Sequence, residues 1–108
     1  MGKSINFNYN NKEYTLEFTR KSIQKLEGRG FVASDLQTKP MTVLPQLFAG
    51  SFIAHQPFAK ADDIENIYAS FKDKDKLLDK LAEMYSEPIE ALFEEPDEKN
   101  AIAWETNF

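Results

Sequence analysis

The chain has 108 residues, of which 42% are hydrophobic and 29% charged, with a formal net charge of −5 and no cysteine. That length fits one domain with one core. The missing cysteines exclude disulfides, thiolate metal sites and thiol catalysis. No window approaches the apolar length of a membrane span, and the first ten residues hold no apolar run of signal-peptide type. Charge is unevenly spread: residues 1–61 carry eight Lys/Arg and four Asp/Glu, residues 62–98 four and thirteen. Such an acidic second half argues against nucleic acid, whose phosphates need cationic neutralisation. It suits a basic protein partner, or simply a solvated set of helix faces.

"INFNYNNKEYTLEF" alternates, with Ile5, Phe7 and Tyr9 on one side and Tyr14, Leu16 and Phe18 on the matching side. This predicts a half-buried β-hairpin over residues 4–18. Parity allows a turn on Asn10-Asn11, setting Phe7 opposite Tyr14, or one centred on Asn11-Lys12, setting Tyr9 opposite Tyr14 and Ile5 opposite Phe18. The second is preferred because it pairs all six apolar residues, although the first has the better turn residues. Thr19 then caps a helix over about 20–28 whose buried stripe is Ile23 and Leu26, ended by Gly28 and Gly30. Phe31, Val32 and Leu36 are expected to pin the loop that follows.

A second helix is predicted over about 42–56, with Pro45 in its first turn. At about 100° per residue, Leu44, Leu47, Phe48, Ser51 and His55 share one side. Gly50 and Ala54 form a small-residue strip that lets another backbone approach, and Phe52 and Ile53 extend the apolar surface round most of the remainder. A helix so apolar is either the centre of the core, with His55 hydrogen-bonded near its end, or half core and half interface. Phe48, Gly50, Phe52, Ile53, Ala54 and His55 are therefore candidate residues for partner binding or self-association.

A third helix over about 62–72 opens with Asp62 as cap and Glu65 at capping-box spacing, with the stripe Ile64, Ile67, Tyr68 and Phe71. After the charged break "KDKDK", a fourth runs over about 75–94 with the stripe Leu77, Leu78, Leu81, Met84 and Tyr85. It is interrupted near Pro88, either by a kink or by a fresh start capped by Ser86, with Ile89, Leu92 and Phe93 inside. The fold class is thus α+β, mainly α: an N-terminal hairpin on a small bundle of four to five helices, forming one domain over residues 1–95. Residues 96–108 form an acidic linker and an apolar tail with Ile102, Trp104 and Phe108. That tail either plugs the core or, as is preferred on the composition of the linker, offers itself to a second subunit or another protein.

Signatures of catalysis are missing: no glycine-rich phosphate loop, no paired histidines at metal spacing, no nucleophile elbow. No catalytic, cofactor-binding or metal-ligating residue is assigned. Only a carboxylate beside His55, the sole histidine, in an open cleft would reopen an enzymatic reading.

Three stretches, "LEFTRKSIQKLEGRGF", "KPMTVLPQLFAGSFIAH" and "LLDKLAEMYSE", carry a resemblance over most of residues 5–104. In their apolar and small residues the chain resembles the small tail assembly chaperones of long-tailed bacteriophages and prophages. The resemblance implies a non-enzymatic, helix-rich binding protein in the cytoplasm of the bacterial host. Such a protein coats the tape measure protein while the tail tube assembles, and is absent from the finished virion. In many such phages the family also has a frameshifted longer form, and the Gly50/Ala54 strip with the apolar remainder of the second helix points to a homo-oligomer, as a coat along a client would require. Phage head-to-tail connector or tail-completion proteins, of similar size and helix content, are the alternative.

Overall fold

The computed structural model describes residues 3–108. Strands β1 (Ser4–Tyr9) and β2 (Lys12–Glu17) form an antiparallel hairpin. Helices α1 (Arg20–Gly28), α2 (Pro40–Gly50), α3 (Ala61–Ser70) and α4 (Lys74–Ala91) follow, with 3-10 turns at Ala33–Leu36 and Glu98–Asn100. The α+β, mainly α class expected from the sequence is observed.

The hairpin takes the other of the two registers. Phe7 faces Tyr14 and Ile5 faces Leu16, while Tyr9 stands opposite Lys12. Asn10 and Asn11 both have positive φ, 50° and 63°, as a two-residue primed turn requires. Asparagine tolerates that conformation, and the twist of such a turn matches the strands. Turn chemistry therefore outweighs the count of apolar pairs. Phe18, left beyond the strand, packs edge-on against Tyr85 of α4 instead, at 5.4 Å between ring centres.

Thr19 caps α1 as expected: its hydroxyl accepts from the Ser22 N–H (3.1 Å), and the Thr19 N–H donates to Ser22 Oγ (2.8 Å). In the following loop Phe31 is buried and Leu36 half-buried, but Val32 is exposed. Helix α2 begins two residues earlier than expected, with Pro40 at its first position, where the missing N–H is an orphan anyway. Pro45 consequently lies inside the helix, past its first turn. The carbonyl deprived of a partner there is that of Met41, a residue 90% exposed.

At its other end α2 stops at Gly50 rather than running to residue 56. Two hydrogen bonds explain this. The Glu17 N–H at the end of β2 donates to the Ser51 carbonyl (3.0 Å), and Ser51 Oγ donates to the Phe48 carbonyl (2.6 Å). Carbonyls that a continuing helix would use are thus partly taken by the hairpin and by a side chain. Residues 51–55 wind on as turns.

Asp62 is not the cap of α3. The helix starts at Ala61 after Lys60, and Asp62 and Asp63 sit in its first turn, favourably placed at the positive end of the dipole. Its far end is closed by the Lys74 ammonium, which donates to the Phe71 and Ala69 carbonyls (2.9 and 3.3 Å). Helix α4 continues through Pro88 without a new start, and Ser86 donates back to the Ala82 carbonyl (3.1 Å) rather than capping a fresh helix. Pro88 lies three residues from the end, so little helix depends on the bond it cannot make.

The core joins all these elements. Leu16, Leu47, Phe48, Phe52, Ile67 and Leu81 are almost fully buried, and α2 packs against α1, α3, α4 and the first 3-10 turn. Five rings close a circuit through Phe7, Tyr14, Phe52, Phe48 and Phe71, with neighbouring centres 5.0–6.1 Å apart. Truncation of Phe52→Ala should cost about 3–5 kcal/mol by urea denaturation, the range for a buried phenylalanine. Phe58→Ala, at a position 93% exposed, should stay within about 0.5 kcal/mol of wild type.

Tyr85 gives the core an alkaline limit. Burial first, and the nearby Glu27 carboxylate second, push its phenol pKa up. The fold therefore favours the neutral phenol. Stability from this group is complete below the unfolded value of about 10 and declines as pH rises above it. A Tyr85→Phe variant should lose less stability than wild type between neutral pH and about pH 11, measured by denaturant titration.

Candidate functional site

The residues singled out on α2 separate into two groups. Phe48, Gly50 and Phe52 lie in the core. The close approach that Gly50 permits is made within the chain: a Cβ there would lie 2.5 Å from Leu26 Cδ2 of α1. Of the two readings of this helix, the central-core one holds for Phe48, Gly50 and Phe52, which are buried and so offer no face for partner binding or self-association. Helices α1, α3 and α4 together with the hairpin, whose cover the helical periodicity could not show, enclose them. Ile53 and Ala54 are half-buried and His55 is exposed, all in the turns after α2.

Ile53, Ala54 and His55 line an open cleft of about 250 Å³ with Glu17, Thr19, Lys21, Ser22 and Lys25. His55 Nε2 lies 2.6 Å from Glu17 Oε1, with the two side chains 42% and 22% exposed. This is the imidazole–carboxylate contact beside a cleft that would reopen a catalytic reading. The two hydroxyls lining it are both committed to the α1 cap: Ser22 Oγ bonds the Thr19 N–H and carbonyl, and Thr19 Oγ1 accepts from Ser22. Neither is poised as a nucleophile beside the imidazole. The contact instead reinforces the Glu17–Ser51 backbone bond four residues on, fastening the end of β2 to the turns after α2 through both backbone and side chain.

Among the described residues, six of the nine exposed large apolar side chains lie at or beyond Ile89. Ile89, Leu92 and Phe93 were expected inside a short helix, yet they are 36%, 57% and 81% exposed. Pro88 and Ala91 in the last turn of α4 (which ends at Ala91) are still half-buried, whereas Leu92 and Phe93 just beyond it are exposed. Ile102, Trp104 and Phe108 are 84%, 80% and 103% exposed, and every residue from 92 to 108 is exposed. The tail is no plug for the core. The sequence pattern put Ile89, Leu92 and Phe93 in a short helical segment after the stripe of α4, but nothing local indicated where the bundle ends.

Among the described residues, no group of three or more His, Asp or Glu is placed to hold a metal ion, and no helix is long and apolar enough to cross a membrane. If the His55–Glu17 contact is a fastening, His55→Ala and Glu17→Gln should each cost about 0.2–1 kcal/mol, the range for a solvent-accessible pair. The double variant should cost less than the sum, as a denaturation double-mutant cycle would show.

No characterised protein and no solved structure matches the chain. A family match spans residues 1–108, and the chain belongs to the family described as a domain of unknown function, DUF5055.

Proposed function

We propose that this chain is a non-enzymatic assembly chaperone of a long-tailed phage or prophage, acting in the cytoplasm of the bacterial host on the tape measure protein. The client follows from the resemblance in the three stretches quoted above. The observation that supports a binding role is the contrast between a closed core and an open C-terminal end. Among the described residues the small domain buries fifteen hydrophobic side chains, yet leaves Leu92, Phe93, Ile102, Trp104 and Phe108 to solvent. Exposed apolar groups concentrated in one part of a chain mark an interaction surface.

The chemistry of that end specifies a client. Leu92 and Phe93, at the end of a helix, present apolar groups to which the apolar stripe of a client helix can dock. Glu94, Glu95, Asp97 and Glu98 flank them, favouring a client with basic residues beside its stripe. Co-expression should raise the solubility of the tape measure protein and yield a co-purifying complex, weakened by Leu92→Ser with Phe93→Ser. A soluble client that never associates would count against the reading. Mass spectrometry of purified virions discriminates the connector alternative, because a connector stays in the particle. Deletion of residues 96–108 should leave the melting temperature within a few degrees and weaken client binding. A loss of more than about 2 kcal/mol would instead assign Trp104 to the fold.

A further inference from the structure

The hairpin has two outer edges, and they differ. In an antiparallel pair, the backbone groups of alternate residues point inward to the partner strand and outward from it. The Glu17 N–H reaches out to Ser51, so Glu17 belongs to the outward set of β2, and its partner Ser4 belongs to the outward set of β1. By alternation Asn6 and Asn8 point outward too. Among the described residues none of these three makes a backbone bond to another element, and all three are exposed. The outer edge of β2 is met by Ser51 and bears Lys12, Glu13 and Glu17. The β1 edge has no charge, proline or bulge over Ser4–Tyr9, the devices that ordinarily stop an edge from pairing. Its apolar residues Ile5, Phe7 and Tyr9 are only half-buried.

The tail has the complementary pattern. Ile102, Trp104, Thr106 and Phe108 alternate with Ala103, Glu105 and Asn107, a period-two series of strand-forming residues with one apolar side. It has no secondary structure, and Ala101 at its start is extended (φ −72°, ψ 137°). The radius of gyration, 16.7 Å, exceeds the roughly 13 Å of a compact chain of this length. The tail is not folded back on its own domain. A segment with an open apolar side that leaves a domain bearing a matching open edge has the geometry of exchange between identical copies.

We propose that residues 101–108 of one copy pair as a third strand with the outer edge of β1 in a second copy, laying Ile102, Trp104 and Phe108 beside Ile5, Phe7 and Tyr9. The pairing requires no client, so it stands or falls separately from the chaperone reading. It supplies the third strand that a two-stranded hairpin lacks.

Trp104 is the sole tryptophan, so its emission reports the tail directly. Light scattering and Trp104 emission are followed together over a dilution series of the purified full chain. Concentrated protein should form species larger than a monomer with blue-shifted emission, and dilution should reverse both. Asn6→Pro removes an outward N–H at an edge position where proline is tolerated. It should remain folded by circular dichroism, and stay monomeric with red-shifted emission at every concentration. A chain ending at Asn100 should also stay monomeric, which keeps the test decisive if Asn6→Pro fails to fold. A wild-type chain that is monomeric throughout would overturn the proposal. So would assembly that survives the truncation or a folded Asn6→Pro variant, or blue-shifted emission independent of concentration.

Discussion

The fold depends on the closed circuit of aromatic rings that binds the hairpin to the helices. A two-stranded sheet is marginal on its own, and here it contributes Phe7 and Tyr14, stacked 5.2 Å apart and nearly parallel. Phe52 meets Tyr14 edge-on from the turn after α2, Phe48 meets Phe52 from α2 itself, and Phe71 closes the circuit just after α3. Edge-to-face contacts of this kind add to the burial of the rings and fix their relative orientation. A second set, Phe18 and Phe31 against Tyr85, ties the segments flanking α1 to α4. Every helix is thereby reached from one of the two sets.

Phe52 holds its place in that circuit because α2 ends where it does. Ser51 accepts the Glu17 N–H, and His55 meets the Glu17 carboxylate, so the chain turns at the point where β2 also ends. The same bond assigns the outward set of backbone groups on β2 and, through the register, on β1. One edge of the hairpin is therefore engaged by the domain and the other is left open. The near-neutral β1 and the ion-paired Lys3 just before it follow this division. The Lys3 ammonium bonds Glu83 at 3.0 Å, and the Lys3 N–H bonds Glu87 at 3.1 Å, anchoring the start of β1 to α4 while its edge stays free.

Much of this architecture is legible in local patterns. Alternation gave the hairpin, and period 3.6 gave the stripes of α1, α3 and α4, because those signals arise from burial of one face. Register was decided by Asn10 and Asn11, whose backbone tolerance competes with apolar pairing and needs both terms weighed. What local patterns could not supply was the identity of the covering element. Helix α2 is apolar nearly all round. Periodicity cannot distinguish a helix enclosed by α1, α3, α4 and a hairpin from one that faces a partner. Phe48, Gly50 and Phe52 are enclosed; Ile89, Leu92 and Phe93, expected inside a short helical segment, are not. The Glu17–His55 contact, 38 residues apart in sequence, had no local signal at all.

The buried core and most of the exposed apolar groups consequently reside in different parts of the chain. The core is complete by Tyr85, and the apolar residues beyond Pro88 add nothing to it that their exposure allows. A domain built this way can offer Leu92, Phe93 and the tail to a partner, or withdraw them, without repacking Phe48 or Phe52. Its acidic linker keeps those apolar groups in water through the charge of Glu94, Glu95, Asp97 and Glu98 rather than through burial. Under the proposed binding role, each linker or tail residue that had to be fixed would cost about 1–2 kcal/mol of backbone entropy. Burial of Trp104 and its neighbours by a partner would offset that cost, so the proposed association would be reversible and set by concentration rather than permanent.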